Sequence, residues 1–400
     1  MIALEEAQKM LLTKTESCGI EEVYIYEANG RVLAEDIYSP IDSPPFNKSP
    51  LDGYAVNALS LIGASKENPK ELKVIDKIYA GEVSYKEVKI NEAIRIMTGA
   101  KIPSGADCIV KQEDTEKIDE ENVKVFISHK SNDNIIFKGE DFKSGAKIID
   151  KNILLNSSNI TAIASLGIEK IKVYKKPIVG IITTGDEIQN PGEKLEDGKI
   201  FNSNKAFLYT RLLELGCQPK VYDIVGDTIE EIIKIVLEAE KECDLIVSTG
   251  GVSVGEKDLV REAVKLSGYE VLFWKIAMKP GSPMFGAVKE NVIYIGLSGT
   301  PVAAATTFEL TARRVIAKML NCRSLDIKRI NCKLADEFKK KSPKRRFLRV
   351  RVEEGLENKV YINNIYQSPG QINTMLKSTA LLEIKPNLIL EINDIVEIIK

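Results

Sequence analysis

The chain has 400 residues, 44% hydrophobic and 28% charged, with a formal net charge of −2. That length exceeds one ordinary core and implies roughly two to four domains. The near-neutral charge excludes a global attraction to nucleic acid or to an anionic membrane surface, and the six cysteines (Cys18, Cys108, Cys217, Cys243, Cys322, Cys332), with no CxxC pair and no close cluster, argue against a zinc site or a secreted disulfide framework.

In chain order, "MIALEEAQKMLLTKTE" reads as an amphipathic helix with Leu4, Ala7, Met10 and Leu11 on one face, not as a signal peptide. No apolar run approaches the ~18 residues of a membrane span, so the expectation is a soluble cytoplasmic protein. The stretch "PPFNKSPLDGYAV", residues 44–56, has two readings. Pro50 sets φ for a turn that Asp52-Gly53 closes, after which Tyr54 to Val56 begin a strand. Alternatively, Asp52 is held on a stiff loop because something charged must meet it. Local chemistry leaves both open. Residues 52–140 hold short strand-like segments, "KELKVIDKIYAG", "EAIRIMTG", "DCIVKQED" and "NVKVFISH", separated by turns, as in a small β lobe. The only histidine, His129, is expected to be an ordinary surface residue. Any chemistry must then fall to carboxylates, lysines, hydroxyls and backbone amides. Residues 143–176 read as an extended piece, a short helix opened by Asn156 or Ser157 and stopped by Gly167, and a strand.

From Pro177 the pattern becomes alternating βα units. The strands are "PIVGIITTG", "QPKVYDIVG", "CDLIVSTGG" and "VIYIGLSGTP". One helix is "NSNKAFLYTRLLELG", with Asn202 or Ser203 as its N-cap. Another is "DTIEEIIKIVLEAEKE", capped by Asp227 or Thr228, and "VAAATTFELTARRVIAKML" reads as a single closing helix. Buried apolar strands alternating with helices predict a mostly parallel sheet covered on both faces. Residues ~327–400 return to short strands ("RRFLRVRVEE", "NKVYINNIY", "ALLEIKP", "LILEINDIV"), as in a small β barrel or sandwich. The basic run "KKKSPKRR" reads as a solvated hairpin tip.

Three apolar strands end in small-residue loops: "TTGDE" (183–187), "STGGVSVGEKD" (248–258) and "GLSGTP" (296–301). In a parallel sheet all three emerge at the carboxyl edge, where ligands bind. Glycines there let backbone N–H groups approach an oxyanion. Thr300 stands at an N-cap position with Pro301 at N1, so a helix N-terminus also faces the crevice. Glu187 stands at the end of the first loop, Asp227 follows the strand "QPKVYDIVG", and Asp258 stands at the end of "STGGVSVGEKD". Acids beside phosphate-binding amides would repel phosphate unless a cation intervenes, and Mg²⁺ suits that role, with Glu187 and Asp227 as candidate ligands. Lys275 and Lys279, in "FWKIAMKPGSP", supply positive charge. Each acid also reads as a helix cap or solvated loop end, and each lysine as an exposed strand end. There is neither a Walker A motif nor a GxGxxG signature.

Seven segments in order ("PPFNKSPLDGYAV", "IMTGAKIPSGADCIVKQED", "GED", "GIITTGDEI", "STGGVSVGEKD", "KIAMKPGSP", "GLSGTPVAA") resemble the molybdopterin molybdenumtransferase family, the MoeA type related to the gephyrin E domain. The resemblance covers nearly the whole chain. It implies a multidomain α/β plus β protein. Its parts are an elongated discontinuous linker domain (1–50 and 141–176), an inserted β lobe (51–140), an α/β domain similar to molybdopterin adenylyltransferases (177–326) and a C-terminal β barrel (327–400). It implies a homodimer with a composite active site: Asp52 and Asp141 from one chain, with Glu187, Asp227, Asp258, Lys275 and Lys279 from the other. The implied reaction inserts molybdate into adenylylated molybdopterin, with Mg²⁺, releasing AMP and forming molybdenum cofactor. The rival readings are a molybdopterin adenylyltransferase using ATP and a non-catalytic scaffold of the same fold.

The implied substrate-binding residues are Thr98, Thr184, Gly185, Asp186, Ser248, Gly250, Gly251, Ser253, Pro280, Gly281, Ser282, Gly299, Thr300, Arg349 and Ser368. Among them, the "TGG" and "SGT" amides would hold nucleotide and phosphates, and the "KPGSP" loop with Arg349 would hold molybdate. A molybdopterin adenylyltransferase and molybdoenzyme-maturation proteins are the implied partners. Three departures from the family pattern stand out. Leu51 replaces the usual Met, a volume-conserving swap. Ser282 replaces a lysine, which removes one charge. Ser298 and Thr300 stand where the family reads "GLPGNP".

Overall fold

The computed structural model describes residues 1–222, 226, 228–253, 258–355, 357–363 and 367–400. The chain divides into two compact units, one of residues 1–35, 151–156 and 170–400, the other of 36–150 and 157–169.

The smaller unit is built on a mixed six-stranded sheet, in the order Cys108–Lys111, Gly53–Val56, Glu92–Ile96, Lys70–Ile78, Asn122–Val125, Thr115–Lys117. All four residues of Gly53–Val56 are buried. Side chains alternate across a strand, so Tyr54 and Val56 enter one apolar cluster and Ala55 the other. Gly53 cannot be replaced here, because a Cβ would lie 1.9 Å from the Val110 carbonyl oxygen. His129 is half-buried rather than simply exposed, with Nδ1 3.2 Å from the Asp133 carboxylate.

The larger unit contains a six-stranded sheet in the order Gln218–Val221, Ile178–Thr183, Leu245–Thr249, Val292–Leu297, Phe285–Lys289, Glu270–Trp274. The first four are mutually parallel, and Phe285–Lys289 runs antiparallel to its neighbours on both sides. Phe285–Lys289 and the edge strand Glu270–Trp274 carry no pattern that separates them from the "KPGSP" loop they flank, and the sequence alone does not indicate them. Helix Ser203–Glu214 begins as expected, with the Asn202 side chain accepting the Lys205 N–H at 3.0 Å. Thr228 caps helix Ile229–Glu240 by accepting the Glu231 N–H at 3.4 Å. Asp227, the other candidate cap, lies outside the described residues.

The single closing helix is instead two, Pro301–Leu310 and Ala312–Met319, broken at Thr311. Thr306, Thr307 and Thr311 each donate a hydroxyl to the carbonyl four residues back, a bond that competes with regular helix and bends it. The amino-terminal helix Leu4–Lys14 buries Leu4, Ala7 and Leu11 in the core of this unit. Gln8, on the same face, is buried too, donating to the Leu310 carbonyl at 2.7 Å.

In the C-terminal region, Arg345–Glu353 pairs with Lys359–Ile362 and with Ala380–Ile384. Arg329–Leu334 and Ile395–Ile399 complete the ring, so five strands close into a barrel. Closure leaves no free edge within the ring. The final strand falls at Ile395–Ile399, later than "LILEINDIV" indicates, and Arg329–Leu334 was not foreseen. The basic run is only partly a solvated tip. Arg345 and Arg346 belong to a barrel strand, and Arg345 donates to Glu383 and Glu5 at 2.6 Å each. The short strand Met278–Lys279 pairs parallel to Arg345–Glu353, setting Lys279 opposite Arg346.

All six cysteines are free. Among the described residues, no helix is long and apolar enough to cross a membrane.

Candidate active site

The three glycine loops meet. Backbone bonds join their strand ends: the Thr184 N–H donates to the Thr249 carbonyl at 3.0 Å, and the Gly250 N–H to the Leu297 carbonyl at 3.2 Å. A cleft of about 400 Å³ opens above them. It is lined by Thr184, Gly185, Glu187, Gly250, Gly251, Ser253, Asp258, Gly299 and Thr300, together with Val252 and Ser298. Gly250 has φ 97°, and a Cβ there would lie 2.3 Å from the Thr184 carbonyl oxygen. Only glycine permits this approach of the two loops. At Gly185, a Cβ would come within 2.6 Å of the Glu187 carboxylate, so that carboxylate folds back over the loop. The Thr184 hydroxyl is buried with no partner among the described residues.

Thr300 does precede helix Pro301–Leu310, but its side chain makes no cap bond. Its hydroxyl lies 2.8 Å from that of Ser298 instead. The N–H groups of that first turn are therefore not capped by Thr300. Asp186 is exposed beside the cleft, and Ser248 is fully buried within its strand.

The "KPGSP" loop contributes to a different pocket. Lys279 and Pro280, with Arg346, Arg349, Lys340, Gln367 and Pro369, line a cavity of about 60 Å³. Gly281 (φ 89°) packs so closely on helix Pro301–Leu310 that a Cβ would lie 2.3 Å from Thr307 Cγ2. Arg349 is 4% exposed. Its Nε donates to the Thr374 hydroxyl at 2.7 Å, while its Nη2 has no partner among the described residues. Burial pushes its guanidinium down to about 10, so it still carries its charge at neutral pH. A buried cation without a counter-charge is costly unless an anion supplies one. The buried Arg346 Nε is likewise unpartnered among the described residues. Arg346 stands in the strand "RRFLRVRVEE" that the sequence indicates, but it also ends the basic run that reads as a solvated tip, and nothing local marks it as a pocket residue. Ser282 donates its hydroxyl to the Ile276 carbonyl at 2.8 Å, so that donor is already engaged. Ser368 is exposed, with its N–H bonded to Gln371 Oε1 at 2.8 Å, and does not line the pocket. Lys275 lines neither cavity, and its ammonium lies over the Trp274 ring.

Asp52, Thr98 and Asp141 belong to the smaller unit. Thr98 donates both its N–H and its hydroxyl to Asp52 Oδ1, each at 2.7 Å. These two bonds hold the Asp52 carboxyl below the usual carboxylate range. Ser49 tightens the turn before it, donating to the Leu51 carbonyl at 2.6 Å. Asp141 is exposed, and its N–H bonds the Ser43 carbonyl at 2.9 Å.

Among the described residues, no group of three or more His, Cys, Asp and Glu is placed to hold a metal. Glu187 and Asp258 stand as two carboxylates on one cleft, while Asp227, the other candidate metal ligand and catalytic acid, lies outside the described residues. One or two carboxylates completed by substrate phosphates is the donor set that Mg²⁺ accepts.

Comparison with known proteins agrees along the chain. A family model for the MoeA N-terminal region (domain I and II) matches residues 2–167. One for a probable molybdopterin binding domain matches 180–318, and one for the MoeA C-terminal region (domain IV) matches 331–400. The chain is 36% identical over 381 residues to a molybdopterin molybdenumtransferase of Staphylococcus epidermidis, covering 95% of this chain and 91% of the relative. It is 38% identical over 350 residues to one of Staphylococcus aureus, covering 88% and 83%. A crystal structure of the molybdopterin biosynthesis moeA protein from Pyrococcus horikoshii OT3 superposes with a TM-score of 0.82 at 30% identity, covering 100% of this chain and 99% of that one. A second structure of that protein gives 0.85 at 30% identity, covering 100% and 98%.

Proposed function

We infer from one premise, that the chain belongs to the MoeA family of molybdopterin molybdenumtransferases, that it is a transferase of molybdenum cofactor biosynthesis. In the proposed reaction, molybdate is inserted into adenylylated molybdopterin, with release of AMP. Two anions must then be brought together, which requires fixed donors and separate cationic seats. The glycine-loop cleft takes the nucleotide and its phosphates through the amides around Gly185, Gly250, Gly251 and Gly299. Glu187 and Asp258 would hold Mg²⁺, which would supply positive charge against the phosphates of substrate and departing AMP. Lys279 and Arg349 hold molybdate in the small pocket, with Arg346 beside them. A homodimer completes the site when a second copy brings Asp52, kept ionised by Thr98, together with Asp141.

The observation that carries this reading is the buried Arg349 guanidinium, unpaired by any carboxylate among the described residues and lining a pocket with Lys279. An adenylyltransferase working from ATP has no use for a second, small oxyanion seat, so this pocket favours molybdate insertion over that alternative. The deciding measurement is AMP release from adenylylated molybdopterin with and without molybdate. Release only with molybdate is the expected result. ATP consumption would support the adenylyltransferase, and a dimer that releases no AMP would support a scaffold.

A further inference from the structure

Trp274 is the only tryptophan of the chain. It ends the edge strand Glu270–Trp274. Its ring centroid lies 3.7 Å from the Arg261 guanidinium carbon and 4.1 Å from the Lys275 ammonium. Its indole N–H points to the Val252 carbonyl, a long contact at 3.4 Å, and Val252 lines the glycine-loop cleft.

The placement of Lys275 needs explanation. In a regular strand, neighbouring side chains point to opposite faces, so a lysine cannot lie over the ring of the residue before it. Lys275 escapes this by adopting φ 64°, a left-handed conformation rare for any residue but glycine, asparagine or aspartate. Its backbone is pinned there on both sides. Its N–H donates to the Met284 carbonyl at 2.8 Å, and its carbonyl accepts the Ile2 N–H at 3.0 Å. Backbone strain of this kind persists only where the surroundings enforce it, and it gathers at functional sites. Among the described residues, no carboxylate pairs with Lys275. The ring is therefore what holds its ammonium, by attraction between the cation and the π face, and the indole also touches the cleft wall.

We propose that Trp274 is a positioning residue: its ring holds the Lys275 ammonium beside the loop that carries Val252, outside the lining of the cleft, as the cation that meets a phosphate projecting from it. This rests on the reading that the cleft takes a nucleotide's phosphates. Lys275 would be the group in contact with substrate, and Trp274 would act only through it.

The test uses the full-length protein with Trp274→Leu, Trp274→Phe, Lys275→Ala and the double variant Trp274→Leu/Lys275→Ala. Calorimetry with AMP and Mg²⁺ measures binding without turnover. The KM for adenylylated molybdopterin and for molybdate is measured in parallel. Trp274→Leu and Lys275→Ala are each expected to weaken AMP binding about tenfold and leave the molybdate KM unchanged. The double variant is expected to be no weaker than the worse single one, because one residue acts through the other. Trp274→Phe, which keeps a π face, should recover most of the loss. Additive losses in the double variant would overturn the proposal, as would full AMP affinity in Trp274→Leu beside a deficient Lys275→Ala. If Trp274→Leu does not fold, the emission of the sole tryptophan decides. It should change in Lys275→Ala at an unaltered melting temperature, and an unchanged spectrum would overturn the assignment. A wild type that binds AMP but never releases it with molybdate would count against the transferase reading, and the calorimetric comparison would still judge Trp274.

Discussion

A buried guanidinium and an exposed carboxylate carry opposite obligations. Arg349 sits in the interior with one nitrogen unpartnered among the described residues, so its charge is a liability until an anion arrives. Arg349→Met is therefore expected to raise the molybdate KM at least about tenfold without lowering the melting temperature, since it removes a desolvated charge. Steady-state kinetics and a thermal melt on the same preparation check both halves. Asp52 is exposed, and two Thr98 donors stabilise its charged form. Its folded-state pKa is depressed, so the stabilisation those bonds give is present above the ordinary carboxylate value and is lost as pH falls through the lower one. Thr98→Val removes the hydroxyl donor. The Asp52 carboxyl, followed by NMR, should then titrate at higher pH than in wild type, and the acid limb of the activity profile should move the same way. An unmoved titration would mean the hydroxyl bond is not what holds Asp52 ionised.

At the scale of elements, the short strand Met278–Lys279 does more than its length suggests. It pairs with the barrel strand Arg345–Glu353, and the turn that follows it packs Gly281 against Thr307 of the next helix. Gly281→Ala has no room and the wrong φ, so it should destabilise the protein by about 2 kcal/mol or more. It should also weaken molybdate use more than AMP binding, because the small pocket moves with this turn. Denaturant unfolding and the two affinities measure this; equal losses of both would contradict it. The local signals for the other elements were strong. Asn202 before an apolar-periodic run announced helix Ser203–Glu214, and unbroken apolar runs announced the parallel strands. The break at Thr311 was not announced, since hydroxyls that bond back to the helix look like ordinary helix residues in a string of letters.

For the whole molecule, the reading that a second copy delivers Asp52 makes a quantitative prediction. Asp52→Asn and Lys279→Met, each inactive alone, should complement when unfolded and refolded together. Half of the randomly paired dimers are mixed, and one of the two sites in each is intact, so about a quarter of wild-type activity should return. No recovery, with mixed dimers demonstrated, would place all the required groups on one chain.

The sequence by itself determined the parallel strands of the central sheet, the glycine loops and their common edge, because these depend on local periodicity and on parallel topology. It left to the tertiary structure which charges share a cavity. Glu187 and Asp258 face one cleft, while Lys279 joins Arg346 and Arg349 in another pocket, although Lys279 stands nearer in the chain to Asp258 than to either arginine. The reason is physical. A guanidinium's partners are chosen by sheet register and barrel closure, which bring residues some seventy positions apart side by side. No local propensity carries that information.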